Sequence, residues 1–119
     1  GGVLTMSDVA TLRFPQGLRE ALAAATAVRT WGLRTSAAAS PDAIAAAAAS
    51  AGFVDVRTEL VGDRVIAPAL RFVRDRLERG DAPMVRSFAL ATRAIVAQHE
   101  VLWERGLVDY LLLQARAPA

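Results

Sequence analysis

The hydrophobic positions of this sequence change their period several times along the chain. Apolar runs of strand type stand at residues 3–9, 53–61 and 107–115, and stretches with apolar residues three and four apart lie between them. This order, in which helical stretches separate three strands, is typical of one α/β domain. The run at residues 3–6 lacks polar alternation, which predicts a strand buried on both faces.

Residues 40–57 predict a complete helix, its end and a following strand. Ser40 is a favourable N-cap, and Pro41 suits the first helical position because no backbone donor is needed there. An alanine-rich stretch follows, and Gly52 supplies the left-handed residue with which many helices end. A helix, a glycine and a strand in this order form the repeating step of α/β proteins.

Proline and glycine mark the ends of the other predicted helices. Residues 12–31 form one helical region that Pro15 can open, and Gly32 follows it. A second helix is predicted from Pro68 to Arg79, and a third opens at Pro83 and covers residues 84–105. The apolar stripe expected to face the core in the first helix contains Leu18, Leu22, Ala25 and Val28.

Composition narrows the functional classes. The 119 residues suffice for one domain, and 54% of them are hydrophobic, which excludes a disordered chain. One histidine and no cysteine argue against a metal site and exclude disulfides. All 14 basic residues are arginine and the net charge is +2, so genomic base composition explains the basic character better than a nucleic-acid partner. No apolar run reaches about 18 residues and no basic leader is visible, so we expect no membrane span and a cytoplasmic location.

Three segments stand in this order along the chain: G-G-V-L-T-M-S-D, S-P-D-A-I-A-A-A-A-A-S-A-G-F-V-D-V and G-L-V-D-Y-L-L-L-Q-A-R-A-P. Together they resemble the C-terminal half of a class I S-adenosylmethionine-dependent methyltransferase of the small-molecule type. The first resembles the turn and fifth strand of that fold, and the second resembles the next helix and sixth strand. The third resembles the terminal seventh strand, with Ala117 where the family often has lysine. The resemblance spans nearly the whole chain.

The resemblance implies an α/β, partial Rossmann-like methyltransferase fold with helical insertions at residues 12–39 and 68–106. Its strands would stand in the order five, seven, six, with the seventh antiparallel to its neighbours. The family's glycine-rich cofactor loop and acidic cofactor ligand would precede Gly1, so the chain would lack the N-terminal half that binds S-adenosylmethionine. We therefore expect no cofactor-binding residue in this chain and no activity of the fragment alone.

The resemblance also implies that this half holds a small, lipophilic methyl acceptor. Asp8 and His99 are the candidate catalytic residues, because a strand end is a common ligand site and histidine titrates near neutral pH. The alternatives are that Asp8 caps a turn and that His99 is bonded to a backbone carbonyl, which is the favoured interpretation of the histidine. Candidate acceptor-binding residues are Ser7, Trp31, Phe72 and Phe88. Packing in the core is the favoured alternative for these aromatic residues and for Phe14 and Trp103.

An uncovered fifth strand would leave a hydrophobic sheet edge that needs a partner. We therefore expect a homodimer or a complex with the missing N-terminal half. The alternative function is a non-catalytic α/β module that dimerises or binds an apolar ligand.

Overall fold

The computed structural model describes residues 1–34, 36–80 and 86–119. Within them lie three strands, four α-helices and one short 3₁₀ helix. In chain order they are β1 (Val3–Thr11), α1 (Gly17–Trp31), the 3₁₀ helix (Ala37–Ala39), α2 (Pro41–Ser50), β2 (Val54–Leu60), α3 (Gly62–Arg79), α4 (Arg86–Glu104) and β3 (Val108–Arg116). The chain is therefore a mixed α/β protein, as the sequence pattern predicted.

The three strands form one sheet in the order β1-β3-β2. The last strand lies in the centre and is antiparallel to both neighbours, from Val3 opposite Arg116 to Thr11 opposite Val108 on one side. This is the order expected for these three strands. Three strands do not define a seven-stranded methyltransferase fold, so the sheet establishes the α/β class alone.

Helices cover both faces of the sheet. Val108 packs with the buried residues of α1, α3 and α4 in one apolar cluster. Side chains alternate along a strand, so Leu111 and Leu113 point to the opposite face. There α2 contacts β2 and β3, and both leucines are at most 1% exposed. The central strand β3 therefore contributes side chains to an apolar layer on each face of the sheet.

The helix predicted after residue 40 forms as expected. The Ser40 Oγ accepts a hydrogen bond from the Ala43 amide at 3.2 Å, and Pro41 occupies the first helical position. The helix ends at Ser50, and Gly52 takes a positive φ of 92° just beyond it. These local signals are sufficient because each acts within one helical turn.

The apolar stripe predicted for α1 is on the wrong side of the helix. Leu18 and Leu22 are 87% and 56% exposed. The buried face instead consists of one acid and three alanines: Glu20, Ala23, Ala24 and Ala27. Small side chains let α1 approach α4 closely, and this packing outweighs the greater hydrophobicity of leucine. The helix also begins at Gly17, later than the pattern suggested.

Helix α3, which was predicted to start at Pro68, begins six residues earlier. It starts at Gly62 and contains Pro68 in its interior. The Gly62 amide donates to the Asp109 carboxylate at 2.8 Å, and the Val61 amide donates to the Tyr110 carbonyl at 2.7 Å. Contacts with β3, almost fifty residues away, therefore fix this helix start. The predicted helix opening at Pro83 lies outside the described residues, and α4 is described from Arg86.

Strand β1 differs from expectation in burial and in length. It was predicted to be buried on both faces, yet Val3 is 73% and Met6 37% exposed. Among the described residues it is an edge strand, paired with β3 alone. It also continues beyond Asp8, because Val9 to Thr11 remain paired with β3.

Candidate functional site

A cavity of about 330 Å³ straddles the free edge of β1. Met6 and Asp8 border it from one face of the strand, and Val9 borders it from the other. The remaining lining comes from the end of α1, the 3₁₀ helix and the start of α2, namely Trp31, Gly32, Leu33, Arg34, Ala38, Ala39 and Ile44. The volume lies at the lower end of the range, about 300–1,000 Å³, that small-molecule sites occupy.

The wall beside α1 is fixed by short-range and long-range hydrogen bonds. Gly32 ends α1 in the left-handed conformation, with φ 65°, and its amide donates to the Val28 carbonyl at 3.1 Å. The Thr11 hydroxyl then donates to the carbonyl of Arg34 at 2.6 Å. These bonds hold the segment after α1 against the end of β1, so the exposed indole of Trp31 is placed beside the strand.

Asp8 is the acidic group of the cavity. It was expected at the C-terminal end of its strand, and this is wrong, since β1 continues for three more residues. Its Oδ1 accepts a hydrogen bond from the amide of Val9 at 2.7 Å, and the side chain is exposed. The cavity lining combines polar and apolar surface and also includes Arg34. An exposed carboxylate there can accept a hydrogen bond from a ligand hydroxyl or attract a cationic group.

Ser7 lies on the other face of β1 and outside the cavity lining. It stands opposite Leu112 in the ladder, and its hydroxyl accepts a hydrogen bond from the Tyr110 hydroxyl at 3.2 Å. Successive strand residues point to opposite faces, so Ser7 and Asp8 cannot both face one ligand from the same side. The structure thus separates two residues that the sequence placed together.

His99 is buried behind Trp31. It is 4% exposed, and its Nδ1 lies 2.7 Å from the carbonyl oxygen of Ile95, which makes Nδ1 the protonated nitrogen. The Trp31 and His99 ring centroids are 3.6 Å apart, and Nε2 lies 3.5 Å from the Thr30 hydroxyl. This is the backbone-bonded arrangement favoured as the alternative to a catalytic base.

Burial lowers the pKa of His99, although its bond to Ile95 acts in the opposite direction. The imidazole is therefore neutral over a wider pH range than in a peptide, which suits a proton acceptor. However, His99 is absent from the lining of the Asp8 cavity and borders a separate void of about 10 Å³. A catalytic role for His99 stays a prediction.

The two remaining aromatic candidates lie outside the cavity. Phe72 and Phe88 are 59% and 69% exposed, on α3 and α4. Core packing, the favoured alternative, is therefore wrong for both, and also for Phe14 and Trp31, which are 61% and 57% exposed. Trp103 is the exception, because it is half-buried against the apolar cluster. Exposure alone does not show that Phe72 and Phe88 contact a methyl acceptor, so their role in acceptor binding stays a prediction.

Sequence reasoning missed a cluster of charged residues at the end of β1. The Arg13 guanidinium forms two bonds to the Glu20 carboxylate, at 2.8 and 2.9 Å, and another at 2.9 Å to the carbonyl of Arg105. The bonds from Arg13 and from the Gln16 amide lower the pKa of Glu20 to about 2. The cluster ties the segment after β1 to the turn before β3. No sequence spacing indicates it, since Arg105 is distant in the chain.

Comparisons with known proteins do not identify the chain. No protein-family model, no curated protein and no solved structure matches it. Among the described residues, no helix is long and apolar enough to cross a bilayer. The same residues contain no group of three histidine, cysteine or acidic side chains placed to hold a metal ion. The methyltransferase interpretation therefore depends on the sequence motifs and on the arrangement of the strands.

Proposed function

We propose that the chain is the C-terminal, acceptor-side part of an S-adenosylmethionine-dependent methyltransferase that acts on a small, lipophilic acceptor. The observation that carries the proposal is the strand order. The terminal strand β3 is inserted antiparallel between β1 and β2. The sequence resemblance implies this order, which local propensity does not dictate.

The described residues do not fit a site for S-adenosylmethionine. None of the three strands is followed by a glycine-rich loop: β1 leads into L-R-F-P-Q-G, β2 into V-G and β3 into A-P-A. Backbone amides from such a loop, together with an acidic residue, are what dinucleotide-type sites use. The part that this chain takes in the proposed reaction is therefore limited to holding the acceptor.

The cavity beside β1 supplies the chemistry that an apolar hydroxylated acceptor needs. Trp31 offers a flat aromatic surface, and Leu33 and Ile44 add aliphatic walls. Asp8 can accept the hydrogen bond of the acceptor hydroxyl and so orient it. The proposed roles of Trp31 and Asp8 are thus binding and positioning.

Acceptor binding can be measured with the chain itself. We expect 2-naphthol, an aromatic hydroxyl compound small enough for the cavity, to bind in a calorimetric titration. Asp8→Asn should weaken binding about tenfold, which corresponds to the loss of about 1.4 kcal/mol. Asp75→Asn, at an exposed position of α3 outside the cavity lining, is the matched control and should leave binding unchanged.

Transfer activity needs the protein as its source organism makes it. We expect protein isolated from the source to move a labelled methyl group from S-adenosylmethionine to a small hydroxylated acceptor. The 119-residue chain titrated with S-adenosylmethionine should show no micromolar binding. Micromolar binding by the isolated chain, or no transfer by the source protein to a panel of such acceptors, would contradict the proposal.

A non-catalytic α/β module is the second candidate function. Its support is the amount of uncovered apolar surface, including Leu18 on α1 and Phe88 on α4. In that case the source protein would bind 2-naphthol or associate with another chain, yet transfer no methyl group. The methyl-transfer assay therefore distinguishes the two candidate functions, since only the methyltransferase would transfer a labelled methyl group.

A further inference from the structure

The chain exposes more surface than a folded monomer of its mass should. Its accessible surface is 7734 Å² for 12.6 kDa, whereas a compact monomer of that mass exposes about 6,200 Å². Its radius of gyration is 16.7 Å, against about 13.5 Å for a compact domain of this length. The excess of roughly 1,500 Å² per chain is of the size that each partner of an obligate interface buries.

The two edges of the sheet differ in how they are protected against pairing. On the β2 edge, the register shifts between Val54 and Arg57, and Asp55 has a positive φ of 51°. Arg57 and Glu59 add charges to that strand. Bulges and charges of this kind prevent a further strand from adding. The β1 edge has an unbroken register, no proline and Asp8 as its one charge.

Hydrogen bonds at the ends of β1 show which of its amides point away from the sheet. The Gly2 carbonyl accepts from the Ala117 amide at 2.8 Å, and the Leu12 amide donates to Leu107 at 2.8 Å. Bonding alternates along an antiparallel ladder, so even-numbered residues of β1 bond to β3 and odd-numbered residues point outward. Val3, Thr5 and Ser7 therefore present outward amides and carbonyls. The next outward amide, that of Val9, already donates to Asp8.

The uncovered part of the β1 edge comprises residues 3–7, and this segment can pair with the same segment of a second copy. From Asp8 onward the edge is flanked by Trp31 on one side and Ala39 on the other, where the cavity lies. Residues 3–7 are half-exposed or exposed, and they carry no charge. An antiparallel copy centred on Thr5 would pair Val3 with Ser7 in both directions, so each outward amide meets an outward carbonyl of the other copy. A two-fold axis requires such self-complementarity.

We propose that the free edge of β1 pairs antiparallel with the same edge of a second copy of this chain, with Thr5 at the two-fold axis. The two sheets then form one six-stranded sheet. The bonded part of the ladder ends at Ser7, because the next outward amide, that of Val9, already donates to Asp8. Met6 lies within this part and also borders the cavity, so the interface and the cavity adjoin. This pairing is argued from the strand edge alone and not from the proposed methyltransferase function, under which the missing N-terminal half would cover the same edge.

The test is the mass of the purified chain in solution, measured by light scattering across a range of concentrations. We expect the mass of two chains for the native sequence. Thr5→Pro removes one outward amide and no bond to β3, so the dimer dissociation constant should rise at least tenfold. Thr58→Pro is the matched control. It removes an outward amide from the β2 edge. Val61, just after β2, bonds to Tyr110, and alternation then directs Arg57 and Glu59 towards β3 and Thr58 outward.

Amide exchange provides a second measurement if a proline variant fails to fold. In the native chain, the amides of Thr5 and Ser7 should exchange more slowly as concentration rises, while the Thr58 amide should not change. A folded monomer at all concentrations would overturn the proposal. Equal weakening by Thr5→Pro and Thr58→Pro, or association with a different protein alone, would also overturn it.

Discussion

Gly62 provides a test in which helix propensity and tertiary packing predict opposite signs. It is the first residue of α3, and alanine is normally better than glycine in a helix, by up to about 1 kcal/mol. In this structure, however, a Cβ at position 62 would overlap the carboxylate of Asp109 and the ring of Trp103. We therefore expect Gly62→Ala to destabilise the protein.

The expected magnitude follows from the two side chains that must move, those of Asp109 and Trp103. Overpacking of this kind costs about 1–3 kcal/mol. Displacing Asp109 also weakens its 2.8 Å hydrogen bond from the Gly62 amide, a loss of about 1 kcal/mol. After subtracting the gain in helix propensity, the free energy of unfolding should fall by about 1–3 kcal/mol. A loss of about 2 kcal/mol lowers the Tm of a chain this size by roughly 6–12 °C.

Thermal unfolding followed by circular dichroism, at one fixed protein concentration, measures this change. Gly2→Ala is the matched control, because a Cβ there meets no atom within 4 Å and should leave the Tm unchanged. A rise in Tm for Gly62→Ala would refute the reasoning. It would mean that the contact between α3 and β3 is looser than the geometry indicates.

Two further predictions concern the core and the charged cluster. Leu111→Ala should lower the free energy of unfolding by about 2–5 kcal/mol in urea titrations, because the side chain is fully buried, whereas Leu112→Ala at 38% exposure should cost less than half as much. Equal losses would contradict the assigned faces of β3. The bonds from Arg13 lower the pKa of Glu20 to about 2 from 4.5, so their stabilisation is complete above pH 4.5 and is lost as the pH falls towards 2. Glu20→Gln should flatten the dependence of stability on pH in that window, and an unchanged profile would contradict the assignment.

The elements predicted correctly depend on signals close together in the chain. Ser40 caps α2 through an amide three residues away, and Gly52 follows the helix end as the sequence indicates. The strand predicted at residues 107–115 appears at Val108–Arg116. The sequence alone therefore determines the elements whose ends are set by capping and turn residues, because these act within a few residues.

The candidate site was only partly predictable. Asp8 and Trp31 do line one cavity, but Leu33, Arg34 and Ile44 were missed. Leu33 and Arg34 reach the cavity through the turn at Gly32 and the bond from Thr11 to the Arg34 carbonyl, and Ile44 reaches it from α2. That bond spans 23 residues, so no local pattern indicates it.

The tertiary structure alone decides which faces are buried and where some elements begin. In α1 the alanines, rather than Leu18 and Leu22, pack inward, since close approach to α4 favours small side chains. Helix α3 starts at Gly62 and not at the predicted Pro68, because the Asp109 carboxylate accepts a hydrogen bond from the Gly62 amide. Hydrophobic periodicity measures how apolar a position is. It contains no information on how closely a neighbouring element can approach or which remote group will complete a hydrogen bond.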